Sequence, residues 1–150
     1  MKQRLFALLL AVCMVSSLLT VPAAAADTVR FSDVTDQDTA ATVETLRLMG
    51  VLDGYSDGRF GPGEPITREQ LAAILYRYAV YKGYDVTEKA DLSGFADAAA
   101  VSTYAVDPLA WANAVGLING TAAGTLIPRG GATRAQAATI LMRWLETAAI

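Results

Sequence analysis

Two stretches of the chain carry hydrophobic residues at helical spacing, with polar residues between them. In each stretch four apolar positions fall at i, i+3, i+4 and i+7: Leu71, Ile74, Leu75 and Tyr78 in the first, and Ala137, Ile140, Leu141 and Trp144 in the second. This period is typical of an amphipathic α-helix that turns one side towards a core. We therefore predict two helices whose apolar stripes are buried.

A shorter apolar pattern precedes each of these helices. The two patterns span residues 40–49 and 109–115, and a glycine follows each of them directly. Glycine at that place favours the left-handed conformation in which many helices end. In the second pattern Asp107 is the expected N-cap and Pro108 the expected first helical residue, because proline needs no hydrogen-bond acceptor there.

The chain contains an internal repeat. A shift of 66 positions aligns Gly50–Gly54 with Gly116–Gly120, and Thr67-Arg68 with Thr133-Arg134. Each copy has the order helix, Gly-rich loop, helix. We therefore predict an all-α fold made of tandem helix-loop-helix repeats that form a small helical bundle.

The repeat and the first residues together predict the domain organisation. The expected segments are a signal peptide at 1–26, a first repeat at 27–82, a linker at 83–94 and a second repeat at 95–150.

The first 26 residues have the pattern of a secretory signal peptide. Lys2 and Arg4 form a basic head, residues 5–21 form an apolar run without charge, and Ala23–Ala26 supply small residues for cleavage. We expect export and cleavage, with an uncleaved membrane anchor as the alternative. Cys13, the only cysteine, lies in this segment, so the rest of the chain is predicted to form no disulfide.

Charge and composition exclude several classes of function. Without the signal peptide ten basic and fifteen acidic residues remain, which gives a net charge of −5. An acidic chain does not suit the phosphates of nucleic acids. The sequence contains no histidine, which excludes Ser-His-Asp triads and His-ligated metal sites. We predict no catalytic residue, no metal, no cofactor, and no membrane contact after signal cleavage.

The second helix of each copy begins with a shared polar motif, Thr67-Arg68-Glu69-Gln70 and Thr133-Arg134-Ala135-Gln136. Threonine and glutamine three residues apart predict a capping box. Capping does not explain the arginine, because a cation is unfavourable at the positive end of a helix dipole. A guanidinium beside unpaired N–H groups suits a carboxylate or phosphate. An anion pocket at each helix start is therefore predicted, with a structural ion pair to Asp33 or Asp97 as the alternative.

These motifs together resemble the S-layer homology domain. The resemblance rests on Phe31-x-Asp33-Val34, Gly50-Val51-x-x-Gly54-x-x-Asp57-Gly58-x-Phe60-x-Pro62 and Ile66-Thr67-Arg68, and in the second copy on Phe95-x-Asp97, Ala110-Trp111, Gly116-Leu117-x-x-Gly120 and Thr133–Gln136. It implies a pseudo-threefold helical bundle whose grooves bind secondary cell-wall polysaccharide, an acidic and pyruvylated polymer. It also implies that Arg68 and Arg134 contact the carboxylate of the sugar.

The ligand-binding prediction extends beyond the two arginines. The full predicted set is Arg68, Arg134, Thr67, Thr133, Gln70, Gln136, Gly54, Gly58, Gly120, Gly124, Asp57 and Trp111. The threonines and glutamines would shape the pocket, and the glycines would let the loop backbone approach the sugar. Trp111 is either a platform for the sugar or a core residue.

Two departures from the family pattern carry expectations of their own. The family generally has three repeats and this sequence shows two, so we expect the chain to pair with itself or with another repeat-bearing protein through an uncovered face. The second loop lacks a counterpart of Asp57, so the second groove is expected to be weaker or differently selective.

Three other functions compete with wall binding. Asp53, Asp57, Gly58 and Glu64 nearly fit a calcium-binding EF-hand loop, but Tyr55 interrupts the pattern and the second copy drops most of the ligands. Paired carboxylates could serve a glycan hydrolase, although the acidic residues do not repeat as a set. A structural module for protein assembly in the cell envelope is the remaining alternative. We predict a non-catalytic anchoring module at the surface of a bacterium.

Overall fold

The computed structural model describes residues 31–148, so the predicted signal peptide lies outside the described residues. The described residues form four α-helices: α1 at Gln37–Leu48, α2 at Arg68–Lys82, α3 at Val106–Ala114 and α4 at Arg134–Ala148. Three 3-10 helices at Leu92–Gly94, Ala98–Ala100 and Thr103–Ala105 lead into α3. Residues 31–148 contain no β-strand, which confirms the all-α prediction.

Helix ends follow the local sequence signals. Gly50 and Gly116 come just after α1 and α3 and have φ angles of +72° and +76°, the left-handed conformation predicted for them. Both capping boxes are formed: the Thr67 hydroxyl accepts from the Gln70 N–H while the Gln70 side chain accepts from the Thr67 N–H. Thr133 and Gln136 repeat this pair of bonds at the start of α4.

The predicted N-cap of α3 is wrong. The chain enters α3 from the 3-10 helix Thr103–Ala105, and Ala105 is the N-cap residue. Asp107 lies inside the first turn and accepts a hydrogen bond from Lys89 Nζ at 2.6 Å. Pro108 is the third helical residue rather than the first, a place where a missing N–H is still harmless because the first turn has no intrahelical acceptors. The preceding 3-10 turn shifts the start of the helix by two residues.

The main core lies between α2, α3 and α4. Its buried members are Ala72, Leu75, Ala79, Ala105, Leu109, Trp111, Ala112, Leu117, Ile118, Ile140 and Trp144. The predicted linker contributes to it, since Val86 and Leu92 pack against this cluster and the Ala90 N–H donates to the Ala110 carbonyl at 3.0 Å. A smaller cluster of Phe31, Val34 and Val43 holds the first loop against α1.

Leu141 does not belong to the core, contrary to the prediction from its spacing. It is 49% exposed, whereas Leu75 at the corresponding position of α2 is 6% exposed. The difference arises because α2 packs against α3 of the following repeat, while the corresponding face of α4 has no such neighbour in the described part of the chain.

One aspartate in each repeat fixes the Gly-rich loop. Asp33 accepts hydrogen bonds from the N–H groups of Phe60 and Gly61, at 2.8 and 2.7 Å. Asp97 accepts from the N–H groups of Leu126 and Ile127, both at 2.8 Å. These donors stabilise the charged carboxylate, and they lower the pKa of both aspartates from the ordinary value.

We expect acid to destabilise the fold through these two loop clamps. Because their folded-state pKa values lie below the unfolded value, the stabilisation is complete above the unfolded pKa and is lost as the pH falls through the folded pKa. Thermal melting followed by circular dichroism should therefore show a falling midpoint below about pH 4. The double variant Asp33→Asn, Asp97→Asn should melt lower at pH 7 and lose less on acidification. An acid response as steep as that of the unmodified chain would contradict this role.

Candidate functional site

Two clefts lie at equivalent places in the two repeats. The first cleft, about 500 Å³, lies between the first loop and α2 and is closed on one side by Tyr104 of the second repeat. The second cleft, about 280 Å³, lies between the second loop and α4. Seven positions related by the repeat line both: Leu52, Asp53, Gly54, Gln70, Ala73, Ile74 and Arg77 in the first, and Ile118, Asn119, Gly120, Gln136, Thr139, Ile140 and Arg143 in the second.

Each cleft contains an arginine from the middle of its second helix, and neither arginine belongs to the predicted ligand-binding set. Arg77 pairs with Asp53 in the first cleft, with Nη2 to Oδ2 at 2.9 Å. Arg143 donates to the Leu117 carbonyl at 3.3 Å in the second. The signal that could have found them is the repeat itself, because the shift of 66 places these two arginines on one another.

The two clefts differ in charge. Arg77 in the first cleft is accompanied by the acidic residues Asp53 and Glu64. The second cleft is lined by Arg68 and Arg143, and its lining residues include no aspartate or glutamate. Two cations in a partly enclosed space attract an anion, whereas a surplus of carboxylates repels it. The second cleft is therefore the better anion site of the two.

Arg68 reaches from the start of α2 to the second repeat, where it lines the second cleft. Its side chain is 9% exposed and bonds to the following repeat: Nε donates to the Leu126 carbonyl at 2.8 Å and Nη2 to the Asn119 carbonyl at 2.9 Å. Burial lowers the pKa of Arg68, and the charge of Asp97 acts against this shift. Arg68 therefore joins the two repeats through backbone carbonyls, and within residues 31–148 no ion pair links it to Asp33 or Asp97.

Arg134 has none of these contacts, although it stands at the same position of its repeat. It is exposed, and it makes no hydrogen bond or ion pair with the described residues. The carbonyls that Arg68 binds belong to the next repeat along the chain. The two arginines of the shared motif are thus chemically unequal.

The capping residues of the predicted set stand beside the clefts. Gln70 and Gln136 line the first and second cleft, and Thr67 and Thr133 hold them through the capping boxes. The Gln70 amide also reaches the Tyr55 hydroxyl at 3.3 Å.

Asp57 and Trp111 are engaged within the protein. Asp57 accepts from Arg59 Nε at 2.9 Å, and this contact lowers the pKa of the carboxyl. Arg59 also pairs with Glu64, so the carboxylates that resemble a calcium loop are bonded to arginine. Trp111 is 3% exposed and lies at 5.6 Å from the Tyr76 ring, which agrees with its interpretation as a core residue.

The four predicted glycines have structural reasons to be glycine. A Cβ on Gly54 would lie 2.1 Å from Phe31 Cε1, and one on Gly120 would lie 2.2 Å from Phe95 Cε1. Gly58 and Gly124 have φ angles of +84° and +70°, which other residues adopt at a cost. Of these four glycines, Gly54 lines the first cleft and Gly120 the second.

The chain is similar in sequence to known proteins. The sequence model of the S-layer homology domain matches residues 30–72 and 94–138. Among curated proteins, an exoglucanase, XynX, of Acetivibrio thermocellus is 35% identical over 119 residues, which are 77% of this chain and 11% of the exoglucanase. The surface-layer 125 kDa protein of Lysinibacillus sphaericus is 34% identical over 110 residues, 71% of this chain and 9% of that protein. A cell surface protein of Thermoanaerobacter kivui is 30% identical over 121 residues, 80% of this chain and 16% of its own length.

These relatives are much longer than the chain, which spans about a tenth of the first of them. No solved structure matches it. Among the described residues, no helix combines the length and the apolar character needed to cross a membrane.

Proposed function

This chain belongs to the S-layer homology domain family, whose members in the comparison include surface-layer and cell surface proteins, and from that premise we propose that it anchors to the bacterial cell wall by binding an acidic polysaccharide without catalysis. Its place is the cell surface. The polymer we propose carries carboxylates, of which a pyruvylated sugar is an example.

The charge of the second cleft is the observation that carries this proposal. Arg68 and Arg143 line it and no acidic residue does. A guanidinium has five N–H donors, and Arg68 spends two of them on carbonyls, so donors remain for a carboxylate. Arg143 lines the same cleft, so its positive charge adds to the attraction for a carboxylate placed there.

Neutral parts of a sugar suit the rest of the lining. Gln136 and Asn119 offer amides for hydroxyl groups, and the Gly120 backbone leaves the loop wall without a side chain. In the larger first cleft, Tyr104 supplies a phenol next to Gln70. Burial raises the pKa of Tyr104 to about 12, so the phenol stays neutral at physiological pH. Its O–H donates to Glu69 at 3.3 Å, and its oxygen can accept from a sugar hydroxyl. We assign the first cleft to a neutral neighbouring sugar of the same polymer.

Assembly with other repeats is the second candidate function, because α4 presents exposed apolar side chains. Leu141 is 49% and Leu145 69% exposed on that helix. A face of this kind favours contact with another repeat-bearing chain. The two functions are compatible, since the apolar face and the second cleft use different residues of α4.

Sedimentation with purified, protein-free sacculi tests the proposal. We expect the chain to pellet with intact sacculi and to stay in the supernatant after acid extraction has removed the secondary polymer and left the peptidoglycan. Equal pelleting with extracted sacculi would contradict polymer binding. Pelleting that requires surface proteins on the wall would favour the assembly function instead.

A further inference from the structure

We propose that a second copy of this chain docks its first loop against the start of α4, so that Arg134 of one copy binds backbone carbonyls of Asp53 and Phe60 of the other. The inference deepens the proposed assembly function and does not depend on polymer binding. Within one chain, the start of α2 binds the second loop. The equivalent groups at the start of α4 and in the first loop have no such partner in the described residues, and the inference follows from this difference.

The internal contact joins the start of α2 to the second loop. Four donors take part: two on the Arg68 guanidinium, and the backbone N–H groups of Arg68 and Glu69. Each bonds to a carbonyl of the second loop at 2.8 to 3.0 Å, and these carbonyls belong to Leu126, Asn119, Gly130 and Pro128. A short antiparallel bridge between Thr67 and Gly131 completes the contact.

The corresponding groups at the other side of each repeat are open. At the start of α4, the Arg134 guanidinium and the N–H groups of Arg134 and Ala135 bond to nothing in residues 31–148. Their acceptors by the repeat would be carbonyls of the first loop that likewise receive no hydrogen bond in the described range: those of Phe60, Asp53, Glu64 and Pro62. Each unbonded donor at the start of α4 therefore has an equivalent unbonded carbonyl in the first loop.

The charges around the first loop favour binding of Arg134 from a second copy more than the charges around the second loop favour binding of Arg68. Where Arg68 meets Asn119, Arg134 would meet Asp53. Asp33, which clamps the first loop as Asp97 clamps the second, would lie behind the carbonyls as Asp97 does for Arg68. Asp53 balances the charge of Arg77 in the first cleft, whereas the lining of the second cleft has no carboxylate to balance Arg143. An incoming guanidinium would therefore meet less positive charge at the first loop than Arg68 meets at the second.

The apolar faces show the same asymmetry. Leu75 and Ala79 of α2 are 6% and 0% exposed because α3 covers them, whereas Leu141 and Leu145 at the same positions of α4 are 49% and 69% exposed. The helix that corresponds to α3 is α1, which leaves Leu48 72% exposed. α1 of a second copy would cover α4 as α3 covers α2.

The contact between copies is expected to be weaker than the internal one. Glu69 accepts hydrogen bonds from the N–H and hydroxyl groups of Ser102 at 3.0 and 2.8 Å, and its counterpart Ala135 has no such side chain.

The pairing is head-to-tail, since different surfaces of the two copies meet. In this arrangement Arg134 of one copy would line the first cleft of the other, as Arg68 lines the second cleft within its own chain. A residue of the second chain would thus complete the first cleft.

Sedimentation velocity between about 1 and 200 μM, the range of a modest affinity, tests the pairing. We expect the mean mass to rise with concentration, and Arg134→Ala to weaken the association at least fivefold. Arg129→Ala is the matched control, because Arg129 is also exposed and the charge change is the same. Circular dichroism should show both variants folded. A monomer at every concentration, or equal association of the two variants, would overturn the proposal.

Cross-linking tests the head-to-tail geometry. The rings of Tyr76 and Trp111 lie 5.6 Å apart, and the repeat places Met142 of one copy against Thr45 of the other in the same way. In a Cys13→Ser background, a mixture of Thr45→Cys and Met142→Cys chains should form a dimer with a short bismaleimide. Each variant alone should form little. Equal cross-linking of a single variant with itself would indicate a symmetric contact and overturn the head-to-tail arrangement.

Discussion

Replacing Arg68 by alanine is expected to lower the free energy of unfolding by about 3 kcal/mol, since two charge-assisted hydrogen bonds are lost and two carbonyls lose their partner. These bonds join residues 51 and 58 positions apart and hold the first repeat against the second. Arg134→Ala should change the stability by less than about 0.5 kcal/mol, as a surface substitution does. Urea denaturation of the two variants at low protein concentration measures the difference.

Arg68→Lys separates charge from geometry. Lysine keeps the positive charge but offers a single ammonium, which cannot present the planar fork that reaches both carbonyls. The lysine variant should therefore be nearly as unstable as the alanine variant. Equal stability of Arg68→Ala and Arg134→Ala would show that Arg68 does not join the repeats. The result would also remove the internal contact from which the pairing of copies is inferred.

Replacing Arg143 by alanine is expected to weaken the binding of wall polymer at least tenfold, whereas Arg77→Ala should weaken it less than about threefold. Removal of a charged hydrogen-bonding group costs roughly 1.5 to 3 kcal/mol, and 1.4 kcal/mol is a factor of ten in affinity. Arg143 lies in the cleft without acidic lining, while Asp53 and Glu64 line the first cleft beside Arg77 and would repel an anion there. Calorimetric titration with purified polymer compares the two variants.

Arg143 also bonds to the Leu117 carbonyl, so the folded state of its variant needs its own control. Arg143→Lys keeps the charge and should retain part of the affinity. Melting temperatures of the variants identify any loss that comes from unfolding. If Arg77→Ala weakened binding as much as Arg143→Ala, the assignment of the anion to the second cleft would be wrong.

Local signals in the sequence predicted the helices and most of their ends, but not the start of α3 at Val106. The capping boxes at Thr67 and Thr133 and the terminating glycines at 50 and 116 depend on residues within one turn of each other. Such contacts are visible in a short stretch of sequence. The repeat then extended each local conclusion from one copy to the other. The boundaries of the repeats and the cleavage of the signal peptide stay predictions.

Long-range contacts decided what the sequence could not. Arg68 and Arg134 stand in the same motif, but the acceptors of Arg68 lie more than fifty residues away, in the next repeat. Leu75 and Leu141 share one helical spacing, and only Leu75 has a neighbouring helix over it. Equivalent positions of the two repeats therefore have different surroundings. The same reason hides the unequal charge of the two clefts, which depends on loop residues such as Asp53 and Asn119.

Titration of the chain with purified wall polymer, before and after its acidic substituents have been removed, tests the central claim most directly. A cleft that binds through two guanidiniums requires the negative charge of the ligand. We predict measurable binding of the intact polymer and at least a tenfold loss for the neutral polymer. Equal affinity for the two polymers would contradict an anion site in the second cleft.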